Sequence, residues 1–202
     1  MRRKRAFDAT LAAAGLLLST PLWVLFSGLI KLEDGGPVFY AQERVGQRGR
    51  RFRSLKFRTM VADADARYGP LQAQENDLRI TKTGRMLRAT ALDELPQLWN
   101  ILQGDISFVG PRALAPGEIE VKGKGVYIPL EAIPGYEKRH QVRPGLTGVA
   151  QIWAPRDVPR RQKFRYDSLY ITKRHLWLDC RLILLSLWIT CRGKWESRAR
   201  KI

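Results

Sequence analysis

The chain carries no charged residue between Ala9 and Ile30, and this run constrains the fold more than any other stretch. It is long enough, as a helix, to cross a hydrocarbon core of ~30 Å. Leu16-Leu17-Leu18 and Trp23-Val24-Leu25-Phe26 put apolar side chains on every face, which argues against a helix buried in a soluble core. The run is too long for the apolar part of a cleavable signal, and no small-x-small pattern precedes Lys31. Both flanks are basic: Arg2-Arg3-Lys4-Arg5 before it, and Arg44, Arg48, Arg50, Arg51, Arg53, Lys56 and Arg58 after it. Positive charge is retained on the cytoplasmic side. A re-entrant helix leaves both flanks inside, whereas a straight span exports one of them. Ser19-Thr20-Pro21 falls mid-run, where proline removes a rung of the helix ladder and hydroxyls can satisfy freed carbonyls. The reading is a kinked, re-entrant anchor with a basic head over residues 1–33, followed by a single domain over 34–202.

A chain of 202 residues holds one globular core and an anchor. Its 36 Lys and Arg against 19 Asp and Glu give a net charge of +17, which points to an anionic partner: nucleic acid, a phosphorylated metabolite or an acidic membrane face. Cys180 and Cys191 stand apart from any Cys-x-x-Cys or Cys/His cluster and read as buried thiols. His140 and His175 have no nucleophile placed beside them and read as structural or surface residues.

Against this basic background, Asp93-Glu94 stands out. Leu95, Leu98, Trp99 and Leu102 recur at helical spacing with Pro96 in the first turn, so the pair is expected at a helix N-terminus, with Thr90 and Asp93 forming a capping box. There the helix dipole keeps a carboxylate ionised, free N–H groups can receive a phosphate, and an ionised Asp can act as a nucleophile. An ordinary N-capping pair is the plain alternative. It loses ground because Gly104-Asp105-Ile106-Ser107-Phe108-Val109-Gly110-Pro111-Arg112 follows, a turn suited to folding a phosphate-reading guanidinium back onto the carboxylates.

Phe52 to Met60 alternates as a strand does, with Lys56 and Arg58 on one face and Leu55 and Phe57 on the other. A solvated basic face and a diphosphate clamp fit that pattern equally. Asp63 to Asn76 reads as a short surface helix interrupted at Gly69-Pro70, and Arg85 and Arg88 fall one helical turn apart. Ala113 to His140 reads as loop without a period. In Val142 to Gln151 two glycines bracket a turn, either a plain turn or a substrate loop carrying Arg143, Thr147 and Gln151. From Phe164 the chain is expected to be helical. His175 to Ile189 is a poor spanning candidate because Asp179 and Arg181 interrupt it, but suits a helix at the headgroup level or packed on the core.

Four stretches in this order, Lys56-Phe57-Arg58-Thr59-Met60, Leu92 to Asn100, Gly104 to Arg112 and Val142 to Gly148, together resemble the bacterial sugar transferases, small monotopic phosphoglycosyl transferases. The resemblance covers nearly the whole chain. It implies an α+β fold: a small, mostly helical cytoplasmic domain with a short β element, a re-entrant membrane helix broken at Ser19, Thr20 and Pro21, and interfacial helices. It implies transfer of a phosphosugar from a UDP-sugar to a polyprenol (undecaprenyl) phosphate at the cytoplasmic face of the inner membrane, with release of UMP. By the same carry-over Asp93 is the nucleophile, Glu94 helps hold Mg²⁺, and Pro111-Arg112 belongs to the phosphate site. A carboxylate attacking a diphosphate meets like-charge repulsion, so cations must neutralise the phosphoryl oxygens, and Lys56, Arg58 and Arg88 are the candidates. Arg143, Thr147 and Gln151 complete the expected substrate contacts. Membrane lipid is an expected partner, nucleic acid is not, and a homodimer stays open. The chain departs from the family in two places: Ile152-Trp153-Ala154 stands where Val-Asn-Gly is common, and Ala113 where a second proline often follows the Pro-Arg pair.

Two other functions are weighed against this one. A membrane-attached binder of nucleic acid or anionic lipid accounts for the charge but leaves Asp93-Glu94 without a role. A glycosyltransferase that moves only the sugar and releases UDP would more often carry a larger nucleotide-binding α/β domain, and no Gly-rich strand-to-helix signature is present.

Overall fold

The computed structural model describes residues 2–62, 64, 77–122, 126–155, 158–193 and 195. The helix expected within Asp63 to Asn76, residues 123–125 and most of the basic tail lie outside them. The architecture is α+β, with helices packed around two-stranded sheets, three of them among the described residues.

Helix α1 (Arg2–Asp34) runs without interruption through Pro21. Ser19-Thr20-Pro21 therefore does not end the helix, since proline removes only one donor. The hydroxyls there serve another carbonyl than the one proline frees: Ser19 Oγ and Thr20 Oγ1 both donate to Leu16 O, at 3.4 and 3.0 Å. Ser19 Oγ also accepts from the Trp23 indole at 3.0 Å. The helix closes at Gly35, whose φ of +71° suits glycine.

The hairpin of β1 (Phe39–Val45) and β2 (Arg51–Phe57) pairs Phe39 with Phe57, Tyr40 with Lys56 and Arg44 with Phe52. One face of β2 carries Phe57 to α1, where Trp23 and Phe26 meet its ring edge-on at 5.5 and 5.8 Å. The opposite face carries Phe52, Ser54 and Lys56 inward. Helix α2 (Lys82–Thr90) begins at Thr81, whose side chain caps the Gly84 N–H at 2.9 Å. A 3-10 turn at Leu92–Glu94 then leads into α3 (Gln97–Gln103).

Short β3 (Ser107–Val109) pairs in parallel with β6 (Gly145–Thr147), Ser107 opposite Gly145 and Val109 opposite Thr147. The chains approach so closely that a Cβ on Gly145 would lie 2.0 Å from Gly110 N, so only glycine fits. The described residues of the stretch read as loop from Ala113 to His140 form regular elements instead. They include an antiparallel hairpin, β4 (Ile119–Lys122) with β5 (Val126–Pro129), and the short helix α4 (Tyr136–Arg139).

Helix α5 (Val149–Trp153) follows β6, and α6 (Arg160–Lys173) and α7 (Leu176–Cys191) complete the domain. The main core gathers Ala12 of α1, Leu98 and Ile101 of α3, Val109 of β3, Tyr170 of α6, and Leu182 and Ile189 of α7. The head of α1 is part of this assembly. Arg5 donates to Ile101 O at 2.6 Å and to Leu102 O, satisfying carbonyls at the end of α3. Lys4 Nζ reaches Asp179 Oδ2 at 2.6 Å. Asp179, which interrupts the apolar run of α7, is 1% exposed and also accepts from the Tyr170 hydroxyl at 2.8 Å.

Candidate active site

The two carboxylates occupy a single 3-10 turn between α2 and α3, entered through Ala91 at φ +56°. This differs from the expected helix N-terminus in two respects. Thr90 ends α2, and its hydroxyl bonds back to Met86 O and Leu87 O at 3.0 and 3.1 Å, so it forms no capping box. The N–H groups of Glu94 and Leu95 are taken by Ala91 O and Leu92 O within the turn, which leaves them no bond for a phosphate. Cationic side chains supply positive potential around the pair.

Lys56 is central to that potential. Its Nζ lies 2.5 Å from Glu94 Oε1 and 3.6 Å from Asp93 Oδ2. The β-hairpin register aims it there, because Lys56 shares its face with buried Ser54 and Phe52. Arg112 reaches in from the other side, with Nη2 3.7 Å from Glu94 Oε1 while its side chain stays 54% exposed and open to a ligand. Pro111 accepts from Gly145 N at 2.9 Å, which fixes the segment leading to Arg112. Arg88, on the last turn of α2, lies within electrostatic reach of Asp93.

The carboxylates do not share these cations equally. Burial pushes the Asp93 carboxyl up, and the adjacent Glu94 charge adds to the rise, against the opposing pull of Lys56, Arg88 and Arg112. Glu94 is also buried, but the Lys56 ammonium in contact with it, with Arg112 behind, holds it below the usual carboxylate range.

Not every expected residue reaches this site. Arg58 turns away: its guanidinium makes a two-pronged pair with Asp34 and donates to Met60 O, closing the end of α1 onto β2. At 7% exposure it is a brace, and the diphosphate-clamp reading of Arg58 is corrected. The strand ends at Phe57, so the alternation that groups Arg58 with Lys56 no longer applies. Thr147 is also turned from solvent, its hydroxyl 2.5 Å from Ser186 Oγ on α7. Gln151 Nε2 faces Gly145 O, within its own turn, at 3.5 Å. Arg143 is half-buried beside Gly110-Pro111.

One residue near the dyad lacks a strong sequence signal. Arg44 lies on the same hairpin face as Lys56, is half-buried, and bonds to Gln42 Oε1. Burial and the neighbouring Arg112 push its pKa down, while Glu118 and Glu94 pull it up, which places it at the rim of the same site. Only the register of β1 against β2 could have singled it out from the surrounding arginines.

The chain matches the model of the family described as bacterial sugar transferase over residues 1–193. It belongs to that family, and is a phosphoglycosyl transferase. It is 36% identical over 205 residues to the exopolysaccharide production protein ExoY of Rhizobium meliloti, covering 95% of this chain and 86% of the relative. It is 42% identical over 189 residues to the UDP-glucose:undecaprenyl-phosphate glucose-1-phosphate transferase of Caulobacter vibrioides, covering 90% and 67%. It is 37% identical over 187 residues to the UDP-N-acetylgalactosamine-undecaprenyl-phosphate N-acetylgalactosaminephosphotransferase of Aeromonas hydrophila, covering 91% of this chain but 42% of that longer protein.

Proposed function

We propose that this enzyme moves a sugar phosphate from a UDP-sugar to undecaprenyl phosphate through an Asp93-linked phosphosugar intermediate, releasing UMP. The observation that carries the reading is the pair of buried carboxylates bridged by Lys56 and flanked by Arg112. In the first step an Asp93 oxygen bonds to the phosphorus that bears the sugar. The bond from that phosphorus to the bridging oxygen breaks, and UMP leaves with the electron pair. In the second step a phosphate oxygen of the lipid acceptor attacks the same phosphorus and Asp93 departs as carboxylate. Lys56, Arg88 and Arg112 screen the anionic nucleophile from the anionic diphosphate in both steps.

Asp93 and Glu94 are hard oxygen donors of the kind Mg²⁺ accepts. Among the described residues no cluster of three metal-ligating side chains forms, which fits an ion held by one or two carboxylates together with water and donor phosphates. Glu94 is the residue proposed to hold it. When bound, Mg²⁺ would neutralise charge on the phosphoryl oxygens.

A monotopic placement is supported by how α1 is fastened, and the basic flanks favour the cytoplasmic face. Its head is tied to α3 and α7 through Arg5 and Lys4, and its end to β2 through Asp34 and Arg58. With both ends held by one domain, the unbroken helix favours a seat in one leaflet over a span. Leu17, Leu18, Val24 and Leu32 of α1 and Trp177, Leu184 and Leu187 of α7 are exposed and supply apolar surface for lipid.

Product identity tests the reading. Purified enzyme in detergent with Mg²⁺, undecaprenyl phosphate and a panel of UDP-sugars should release UMP with at least one donor. Release of UDP would mean sugar-only transfer and would remove Asp93 from the role of nucleophile.

A further inference from the structure

Asn100 is 2% exposed on α3, the helix that follows the Asp93-Glu94 turn. Its carboxamide does not cap its own helix. Oδ1 accepts from Leu55 N at 3.0 Å and Nδ2 donates to Arg53 O at 2.9 Å, with a further bond from Nδ2 to Asp105 Oδ2 at 3.2 Å. Bonding the carbonyl of one strand residue and the N–H of the residue two further on is the pattern by which a parallel neighbouring strand grips its partner. One side chain thus substitutes for a strand at the open edge of β2, centred on Ser54. Lys56 is the next residue on the same face, with its ammonium on Glu94 and Asp93.

We infer that Asn100 is a positioning residue, which holds β2 at the height that keeps the Lys56 ammonium between the two carboxylates. The inference rests on the role proposed above for Lys56 in phosphosugar transfer. The geometry is specific: the dyad precedes Asn100 on one continuous segment and Lys56 follows the gripped residues on another. The carboxamide therefore sets the distance between the two halves of the site. Lys56 enters from a two-stranded sheet whose other edge is β1, and among the described residues Asn100 is the side chain that bonds the backbone of both Arg53 and Leu55.

The test has one readout with turnover and one without. Acylation of lysines in the intact protein, followed by mass spectrometry, reports the freedom of Lys56, with exposed Lys82 and Lys173 as references. In Asn100→Leu the Lys56 rate should rise ~3-fold or more relative to the references, as its ion pair loosens. UMP release should fall ~10-fold or more, in kcat more than in KM. Combined with Lys56→Met, Asn100→Leu should cost nothing further, because the two act through one contact. Asn100→Asp keeps the acceptor for Leu55 N but turns the donor to Arg53 O and Asp105 Oδ2 into a carboxylate oxygen facing two acceptors, so it breaks the same link by repulsion and not by removal. Unchanged Lys56 labelling in both variants overturns the inference, and so does a double variant whose loss is the product of the single losses. If Lys56→Met alone releases UMP at the normal rate, the transfer role of Lys56 fails. The labelling result still decides whether Asn100 positions it.

Discussion

Arg58→Met separates two roles for an arginine that the sequence offers as a phosphate ligand. In the structure its guanidinium pairs with Asp34 through two nitrogens and donates to Met60 O at 3.2 Å. Removing one partner of a buried pair costs ~3–5 kcal/mol. Asp34 is 22% exposed and keeps bonds from Gly36 N at 3.1 Å and Ala62 N at 3.4 Å, which lowers the expected loss. A value of ~2–3 kcal/mol follows, or a Tm lower by ~5–10 °C for a chain of this size. Scanning fluorimetry in detergent measures the shift, and UMP release well below the transition measures activity. Activity of the folded variant should stay within ~3-fold of the parent, since no bond of Arg58 reaches the dyad. The pair also sets a pH signature. Arg58 holds the Asp34 carboxyl far below its ordinary value of 3.8, so its contribution is fully present above that value. It is lost as pH falls toward the depressed one, and the Tm gap between parent and variant should narrow below pH ~4. An unchanged Tm with UMP release reduced ~100-fold or more would refute the argument and return Arg58 to the substrate.

Other outcomes follow from the same geometry. Asp93→Asn should reduce UMP release by ~10³-fold or more with Tm little changed, because the amide keeps the shape of the carboxyl and loses its nucleophilicity. Chelation with EDTA should abolish turnover and leave the circular dichroism spectrum intact, with activity restored by Mg²⁺. Thr147→Val removes the bond to Ser186 and should cost ~1 kcal/mol in denaturant unfolding with near-normal KM for donor; a large rise in KM would place Thr147 in the substrate loop. Tyr170→Phe loses bonds to Val109 O and Asp179 Oδ1 in the core and should lower stability by ~1–3 kcal/mol, measured by the same unfolding.

The site was legible where chemistry is written in adjacent residues. Asp93-Glu94 in a basic chain, and an arginine closing a glycine-bounded turn, are local patterns, and Arg112 does return to within 3.7 Å of Glu94. Lys56 was legible as a cation on an alternating strand, but its partner was not, since a strand pattern says nothing of what covers it. Arg58 and Thr147 were misplaced for one reason: side-chain direction depends on where an element stops and what packs on it, as Asp34 and Ser186 do from distant parts of the chain. The hairpin of β4 and β5 could have been found, because Ile119-Glu120-Val121 and Val126-Tyr127-Ile128 flank Gly123-Lys124-Gly125, a turn sequence between short β-branched runs. The parallel pairing of Ser107 with Gly145 had no local signature, because a parallel ladder joins residues whose separation no periodicity records.

The bonds of Lys4, Arg5 and Asp8 set an order of events during synthesis. These residues leave the ribosome well before their partners: Phe108 N and Asp179, which meet Asp8 and Lys4, are made roughly one hundred and more residues later. Until α7 has been translated, Lys4 lacks Asp179 and the apolar run of α1 lacks the part of its core that Leu182 and Ile189 supply. Without other cover, Leu16 to Ile30 stays exposed for that interval, when aggregation competes with folding, so early capture of this run decides the yield of folded enzyme.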